Sequence, residues 1–267
     1  MNRRQFLLGA VGVLGGLAGY AFALEPKQLR LERVTVPVPE LAGHLDGYTI
    51  GVLSDLHLGS LVSVAWVRNA AERLAALHPD LVLIAGDMTG YVETYQSGQQ
   101  LIDEALEPVR GAYGVLGNWD RLVPEIIRPQ NAVRMLINAG VTVAPDLWLS
   151  GLDDGLWGSP SIDRALAKAP VGGTRILLAH EPDLADLVRP EHQVALQISG
   201  HSHGGQIRLP LVGPLLLPPL GRKYPAGLNQ APGCQVYTSR GVGVTQVPAR
   251  FLCPPEITLI TLKRRVA

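Results

Sequence analysis

The chain has 267 residues, 47% of them apolar and 17% charged. That is enough to bury the core of one large α/β domain or two small ones, and too apolar for wholesale disorder. Lysine plus arginine number 23 and aspartate plus glutamate 23, so no net charge draws the chain to nucleic acid, and no nucleic-acid partner is expected.

The first residues read as an address. Asn2-Arg3-Arg4-Gln5-Phe6-Leu7-Leu8 resembles the twin-arginine export motif, and residues 6–24 carry no charge. As a helix rising about 1.5 Å per residue, that run approaches the roughly 30 Å hydrocarbon core of a bilayer. Ala21-Phe22-Ala23 has the small-x-small form of a cleavage site, and no lipobox cysteine is present. Residues 1–24 are therefore read as a signal or membrane anchor, cleaved or retained, and 25–267 as the domain. This implies the twin-arginine translocation machinery as a partner and a periplasmic or extracytoplasmic membrane-face location.

Alternation over 29–36 predicts a strand, and the short apolar run 48–54 a buried one. Helical spacing over 63–77, with Ser63 as N-cap, predicts a helix. Further strands are expected at 81–85 and 114–116, with helices over 96–109 and, interrupted at Pro129, over 124–139. Later strands are expected at 147–151, 174–179, 194–199, 234–238 and 256–262. Strands alternating with helices, then mostly strands, suggest a layered α/β domain. Residues 207–220 are apolar but hold Pro210, Pro214, Pro218 and Pro219, which excludes a regular helix or central strand. The preferred reading is an apolar loop capping the domain itself; the other is a surface for a substrate with a lipid part. Cys234 and Cys253 are too few for a disulfide framework and lack zinc-site spacing; they either pair after export or stay as buried thiols.

Chemistry-bearing side chains stand at the ends of these apolar runs. Asp55-Leu56-His57 follows the second strand, Asp87 follows Ala85-Gly86, Asn118 follows Leu116-Gly117, and His180 follows Leu178-Ala179. Gly200-His201-Ser202-His203-Gly204-Gly205-Gln206 follows the run 194–199. Ligands at the carboxyl ends of strands converge on one sheet edge. In Asp-x-His and His-x-His, a spacing of two puts both side chains on one face if the backbone stays extended. Mixed oxygen and nitrogen donors suit divalent manganese, iron or zinc. Each motif is common alone; five in this order at strand ends are not.

The order Asp-x-His, Gly-Asp, Gly-Asn-x-Asp, His, Gly-His-x-His resembles the calcineurin-like metallophosphoesterases, from about residue 48 to 206. Its opening and closing motifs are similar to a bacterial membrane-associated branch. The resemblance implies a four-layer α/β/β/α sandwich. It implies that Asp55, His57 and His203 bind one metal, that Asp87 bridges to a second, and that Asn118, His180 and His201 bind that second metal. A metal-bridging hydroxide would attack phosphorus in line, and the substrate would be a phosphorylated small molecule or lipid. Two cations about 3.5–4 Å apart suit that chemistry, because they clamp the attacking and leaving oxygens and lower the pKa of water.

One position departs from the family pattern. Where a histidine usually follows the asparagine and protonates the leaving oxygen, this chain has Trp119, in Gly117-Asn118-Trp119-Asp120. Indole is only a donor, and loss of a general acid typically costs about 10²–10⁴ in rate. Trp119 either stacks on a substrate base or sugar or packs locally. Asn118, Asp120 and His203 remain as residues close to the chemistry, with His203 the first alternative acid to consider. The leading expectation is a phosphodiesterase or pyrophosphatase acting on a lipid-linked or nucleotide-sugar substrate. The competing class is a non-catalytic metal-binding module. A nuclease, which would share the motifs, is disfavoured by the charge balance.

Overall fold

The computed structural model describes residues 2–59, 61–90, 95–122 and 132–265. Strands β1 (Arg30–Val38), β2 (Thr49–Leu53), β3 (Leu81–Ile84), β4 (Ala112–Gly114) and β5 (Val133–Met135) form one sheet with the last strand of the chain, Glu256–Arg264. That strand lies between β1 and β2, parallel to the first and antiparallel to the second. A second six-stranded sheet contains β6 (Ala139–Ala144), β7 (Leu147–Gly151), β8 (Thr174–Leu178) and β9 (Val194–Ser199). A short hairpin, β10 (Arg208–Leu209) with β11 (Gly213–Pro214), follows in the chain. The strands β12 (Gly227–Gln230) and β13 (Gln235–Thr238) then complete the second sheet in the order β12-β13-β9-β8-β7-β6. The last strand is β14.

Period-two alternation sorts the core into three apolar layers. In β8, Ile176 and Leu178 face the first sheet alongside Ile50, Val52, Leu83 and Ile198. Leu177 points the other way, onto Leu152, Ile162 and Val236. On the far side of the first sheet, Leu53 and Ile84 pack with the helix α2 (Val64–Ala75) through Val67, Ala70, Ala71 and Leu74. Those helix positions are spaced i, i+3, i+4, i+7, one face of an α-helix. The predicted cap is present: Ser63 Oγ accepts from the Trp66 amide at 3.3 Å. Each fully buried Leu or Ile contributes roughly 1.5–3 kcal/mol of transfer free energy. The result is the mixed α/β sandwich expected, two sheets face to face with helical segments outside. Because β2, β3 and β4 run parallel, as do β7, β8 and β9, their carboxyl ends open on a common edge.

Two expectations need correction, over 124–139 and over 207–220. Residues 133–135 and 139–144 are strands, not the end of a helix over 124–139; residues 123–131 lie outside the described residues. β-branched Val133, Val141, Thr142 and Val143 favour a pleated surface. Strand β12 has Leu228 as its one apolar side chain and no alternation to mark it in the sequence. Residues 207–220 cap the core only at Leu220, which packs on the layer around Leu177; residues 208–214 form the β10–β11 hairpin, and Leu209, Leu211, Val212, Leu215 and Leu216 are exposed. Of the two readings of the cysteines, the structure has the buried thiols: Cys234 and Cys253 are unpaired.

The N-terminal run is helical as α1 (Arg3–Gly19), then tightens into a π turn over Tyr20–Leu24 and a 3₁₀ turn over Glu25–Lys27. Among the described residues, no helix is long and apolar enough to cross a membrane. The end of this run is packed on the domain. Ala21 O accepts from the Arg250 amide at 2.9 Å, and buried Glu25 accepts from the Leu252 and Cys253 amides.

Candidate metal centre

Every ligand position singled out in the sequence sits just beyond a strand end. Asp55 and His57 follow β2, Asp87 follows β3, His180 follows β8, and His201 and His203 follow β9; Asn118 opens a one-turn helix (Asn118–Arg121) after β4. The backbone is not extended there, as the spacing argument assumed. Asp55, His57, Asp87, His201 and His203 have φ of 51°, 46°, 52°, 69° and 50°. Left-handed conformations at non-glycine residues cost of order 1 kcal/mol or more each and persist where surrounding bonds over-determine them. Here the Asp55 amide donates to Gly86 O and the His57 amide to Asp87 O, both at 3.0 Å, zipping the two ligand turns together. Two glycines give the room: a Cβ at Gly117 would stand 2.2 Å from Asp87 Oδ1, and one at Gly200 2.4 Å from Asp55 Oδ2.

The side chains converge in two trios. Asp55, His57 and His203 form one; Asp87, His180 and His201 form the other. All six are buried, and within each trio the ligand atoms lie within 4.8 Å of one another. His57 Nε2 is 3.0 Å from His203 Nε2, which is 3.5 Å from Asp55 Oδ1. Asp87 Oδ2 is 3.2 Å from His180 Nε2 and 3.6 Å from His57 Nε2, so this one carboxylate faces both trios.

Hydrogen bonds fix the ring orientations. His180 Nδ1 meets Ala85 O at 2.7 Å, which turns Nε2 inward. His201 Nε2 meets Pro219 O at 2.8 Å, which leaves Nδ1 as its ligand atom. Asp55 accepts from the His201 amide, at 2.9 Å to Oδ1, and Asp87 Oδ1 accepts from the Trp119 amide at 2.8 Å. Asp120 accepts from Gly117 N at one oxygen and from Thr89 N and Oγ1 at the other. Its bonds are those of a positioning residue that ties the Asn118 turn to the Asp87 turn. Trp119 stands edge-on to His57, ring centroids 5.5 Å apart.

Burial sets the protonation. It pulls His57 and His201 down to about 4 and His203 well below its ordinary range, so these imidazoles stay neutral with a lone pair to give. That speaks for His203 as a ligand rather than an acid. Burial pushes Asp55 up to about 7, with the Asp87 charge adding to it. His180 differs: burial would lower it, but the adjacent Asp87 carboxylate outweighs burial and holds it well above the usual range. Its proton supplies the positive charge that a cation would supply.

The donor set fits two divalent cations. Each trio mixes carboxylate and imidazole, and Asn118 Oδ1 is buried with no hydrogen-bond partner among the described residues. A buried amide oxygen without a donor is costly unless something electropositive faces it.

The description "calcineurin-like phosphoesterase superfamily domain" matches residues 48–209, the stretch that holds every one of these ligands. The chain belongs to this superfamily. As a calcineurin-like phosphoesterase it is 33% identical to "Uncharacterized metallophosphoesterase YkuE" of Bacillus subtilis (strain 168), over 98% of both chains. It is 29% identical to "Phosphodiesterase YaeI" of Escherichia coli (strain K12), over 98% of this chain and 99% of that one. It is 28% identical to a "Transmembrane protein with metallophosphoesterase domain" of Danio rerio, over 98% of this chain and 63% of that protein.

Sequence reasoning missed Arg250. Its side chain is fully buried and donates to the carbonyls of Gly243 at 2.6 Å, Arg240 at 2.8 Å and Cys253 at 3.0 Å. It thereby folds the 240–253 loop, whose Val242 and Gly243 amides donate to Ser54 O and Asp55 O. Arg250 lies outside every ligand motif, and only its tertiary position identifies it.

Proposed function

We propose that this phosphoesterase is a dinuclear-metal hydrolase of phosphodiesters or pyrophosphates, working at the extracytoplasmic face of a membrane. The observation that carries the reading is Asp87 Oδ2 facing both trios. Asp55, His57 and His203 would hold one cation, and Asn118, His180 and His201 the other, with Asp87 between them. Bound there, the cations supply an activated water at neutral pH and positive charge for phosphoryl oxygens. The neutral imidazoles bind without carrying competing protons, and the Ala85, Pro219 and Trp119 backbone contacts keep the ligands aimed. The Trp119 indole has no acidic proton to give a leaving oxygen, so substrates whose leaving group carries its own charge are favoured. Manganese, iron and zinc all suit the donors.

The membrane and lipid part of the reading rests on the twin-arginine-like start, the uncharged run 6–24 and the exposed apolar β10–β11 hairpin, which begins five residues beyond the ligand His203. The name of the Danio rerio relative points the same way. A screen of phosphomonoesters, phosphodiesters and pyrophosphates, water-soluble and lipid-linked, with added manganese tests it. The second reading, a metal-binding module without turnover, is favoured by Trp119 and stands if every substrate fails while two cations bind.

A further inference from the structure

A cavity of about 220 Å³ opens beside His57, lined by Leu61, Trp119, Val244, Thr245 and Gln246. None of these residues except His57 belongs to the metal set. Its size suits a single ring: a dry apolar cavity of roughly 150 Å³ is enough for benzene, and drug-sized sites start at about 300 Å³. Its walls are mostly hydrocarbon and indole. His57 and Gln246 are the other polar side chains in the lining, and the Thr245 hydroxyl is buried with no hydrogen-bond partner among the described residues, an unmet polar group in the pocket wall.

The wall is held in register with the metal centre. Gln206, three residues beyond His203, clamps the loop at residues 245–247. Its Oε1 accepts from the Thr245 amide at 3.0 Å, and its Nε2 donates to Thr245 O at 3.2 Å and Val247 O at 2.8 Å. The closing glutamine of the Gly-His-x-His motif therefore binds no metal in this arrangement; it fixes the pocket wall relative to the ligand turn.

We infer that this cavity is a subsite for a planar aromatic or heteroaromatic ring attached at or next to the phosphoryl group, with Thr245 bonding one polar group on the ring edge. The inference rests on the hydrolase reading. A sugar ring, with hydroxyls on every side, would leave most of them unpaired against Leu61, Val244 and Trp119. A saturated chain would make no use of the Thr245 hydroxyl.

The test is competitive inhibition of the manganese-loaded full chain by methylphosphonate, phenylphosphonate and glucose 1-phosphate, which removes leaving-group chemistry from the comparison. Phenylphosphonate should bind about tenfold or more tightly than methylphosphonate, as expected from burying a ring. Leu61→Ala should cut that preference severalfold; Leu61 is half-exposed, so the fold tolerates the change. Among the three hydroxyphenylphosphonates, one isomer should gain over phenylphosphonate, and Thr245→Val should abolish that gain while keeping the phenyl preference. Equal binding of methyl and phenyl compounds, or tighter binding of glucose 1-phosphate, overturns the inference and leaves the metal centre intact. Absence of any turnover by the loaded chain, with no rate for the phosphonates to inhibit, overturns the hydrolase reading beneath it instead.

Discussion

The backbone amide of Trp119 donates to Asp87 Oδ1 at 2.8 Å, so the residue standing where the superfamily usually carries histidine grips the carboxylate shared by the two trios. At this position the main chain, not the side chain, makes the contact. Replacing the side chain alone should therefore leave the centre assembled.

Trp119→His should bind the same two cations and gain a proton donor. In the parent, kcat/KM across diesters of graded leaving-group pKa should fall steeply as the leaving group becomes more basic. In Trp119→His the slope should flatten, with alkyl diesters gaining up to about 10²-fold, within the usual range for a general acid. A flat single-turnover dependence in the parent would show that another group already supplies the proton.

Without cations, stability should fall as pH rises above about 6.5. The folded chain holds Asp55 up to about 7 and Glu181 up to about 8, chiefly by burial, and His180 well above its usual range. Each binds a proton more tightly folded than unfolded, so its contribution is present at low pH and lost as pH rises through the folded pKa. His57, His201 and His203, held low by burial, act with the opposite sign, but only below their ordinary 6.5. Manganese should therefore raise Tm more at pH 8 than at pH 6. Glu181→Gln should shallow the decline in the cation-free chain, measured by thermal unfolding in chelator.

Arg250→Met should destabilise the chain by about 3 kcal/mol or more, because it strands several buried carbonyls at once. Arg250→Lys should rescue little, since an ammonium cannot span the carbonyls that the guanidinium fork reaches. Urea unfolding reads both, and metal affinity should drop with stability because the 240–253 loop braces Asp55.

Arg3→Lys with Arg4→Lys should strand the protein in the cytoplasm while purified variant and parent unfold alike. Both arginines are exposed at the start of α1 and contribute nothing to the core. Fractionation that finds the variant exported as well as the parent would point to a general secretory signal.

The metal ligands were legible because each stands where an apolar strand stops, and strand ends converge without any tertiary information. Their left-handed backbone was not legible, since Asp and His carry no local mark of a positive φ. Strands at 133–135 and 139–144 were masked by an apolar spacing that also fits a helix. The prolines correctly excluded a regular element over 207–220, but composition alone did not decide whether the apolar side chains faced inward; Leu211, Val212 and Leu216 face out. Arg250, Gln206 and Thr245 act through contacts with residues tens of positions away or through loop backbone, and nothing in the chain order announces them.

The most direct test counts metal and turnover together, in the parent and in Asp87→Asn. Metal-replete parent should contain two divalent cations per chain and hydrolyse an aryl phosphodiester. Asp87→Asn should lose cations from both trios and at least ~100-fold in kcat/KM, whereas His201→Ala should mainly empty one. A folded parent that holds at most one cation under saturating manganese, or an Asp87→Asn variant that keeps both cations and full activity, would contradict a centre built around a shared Asp87.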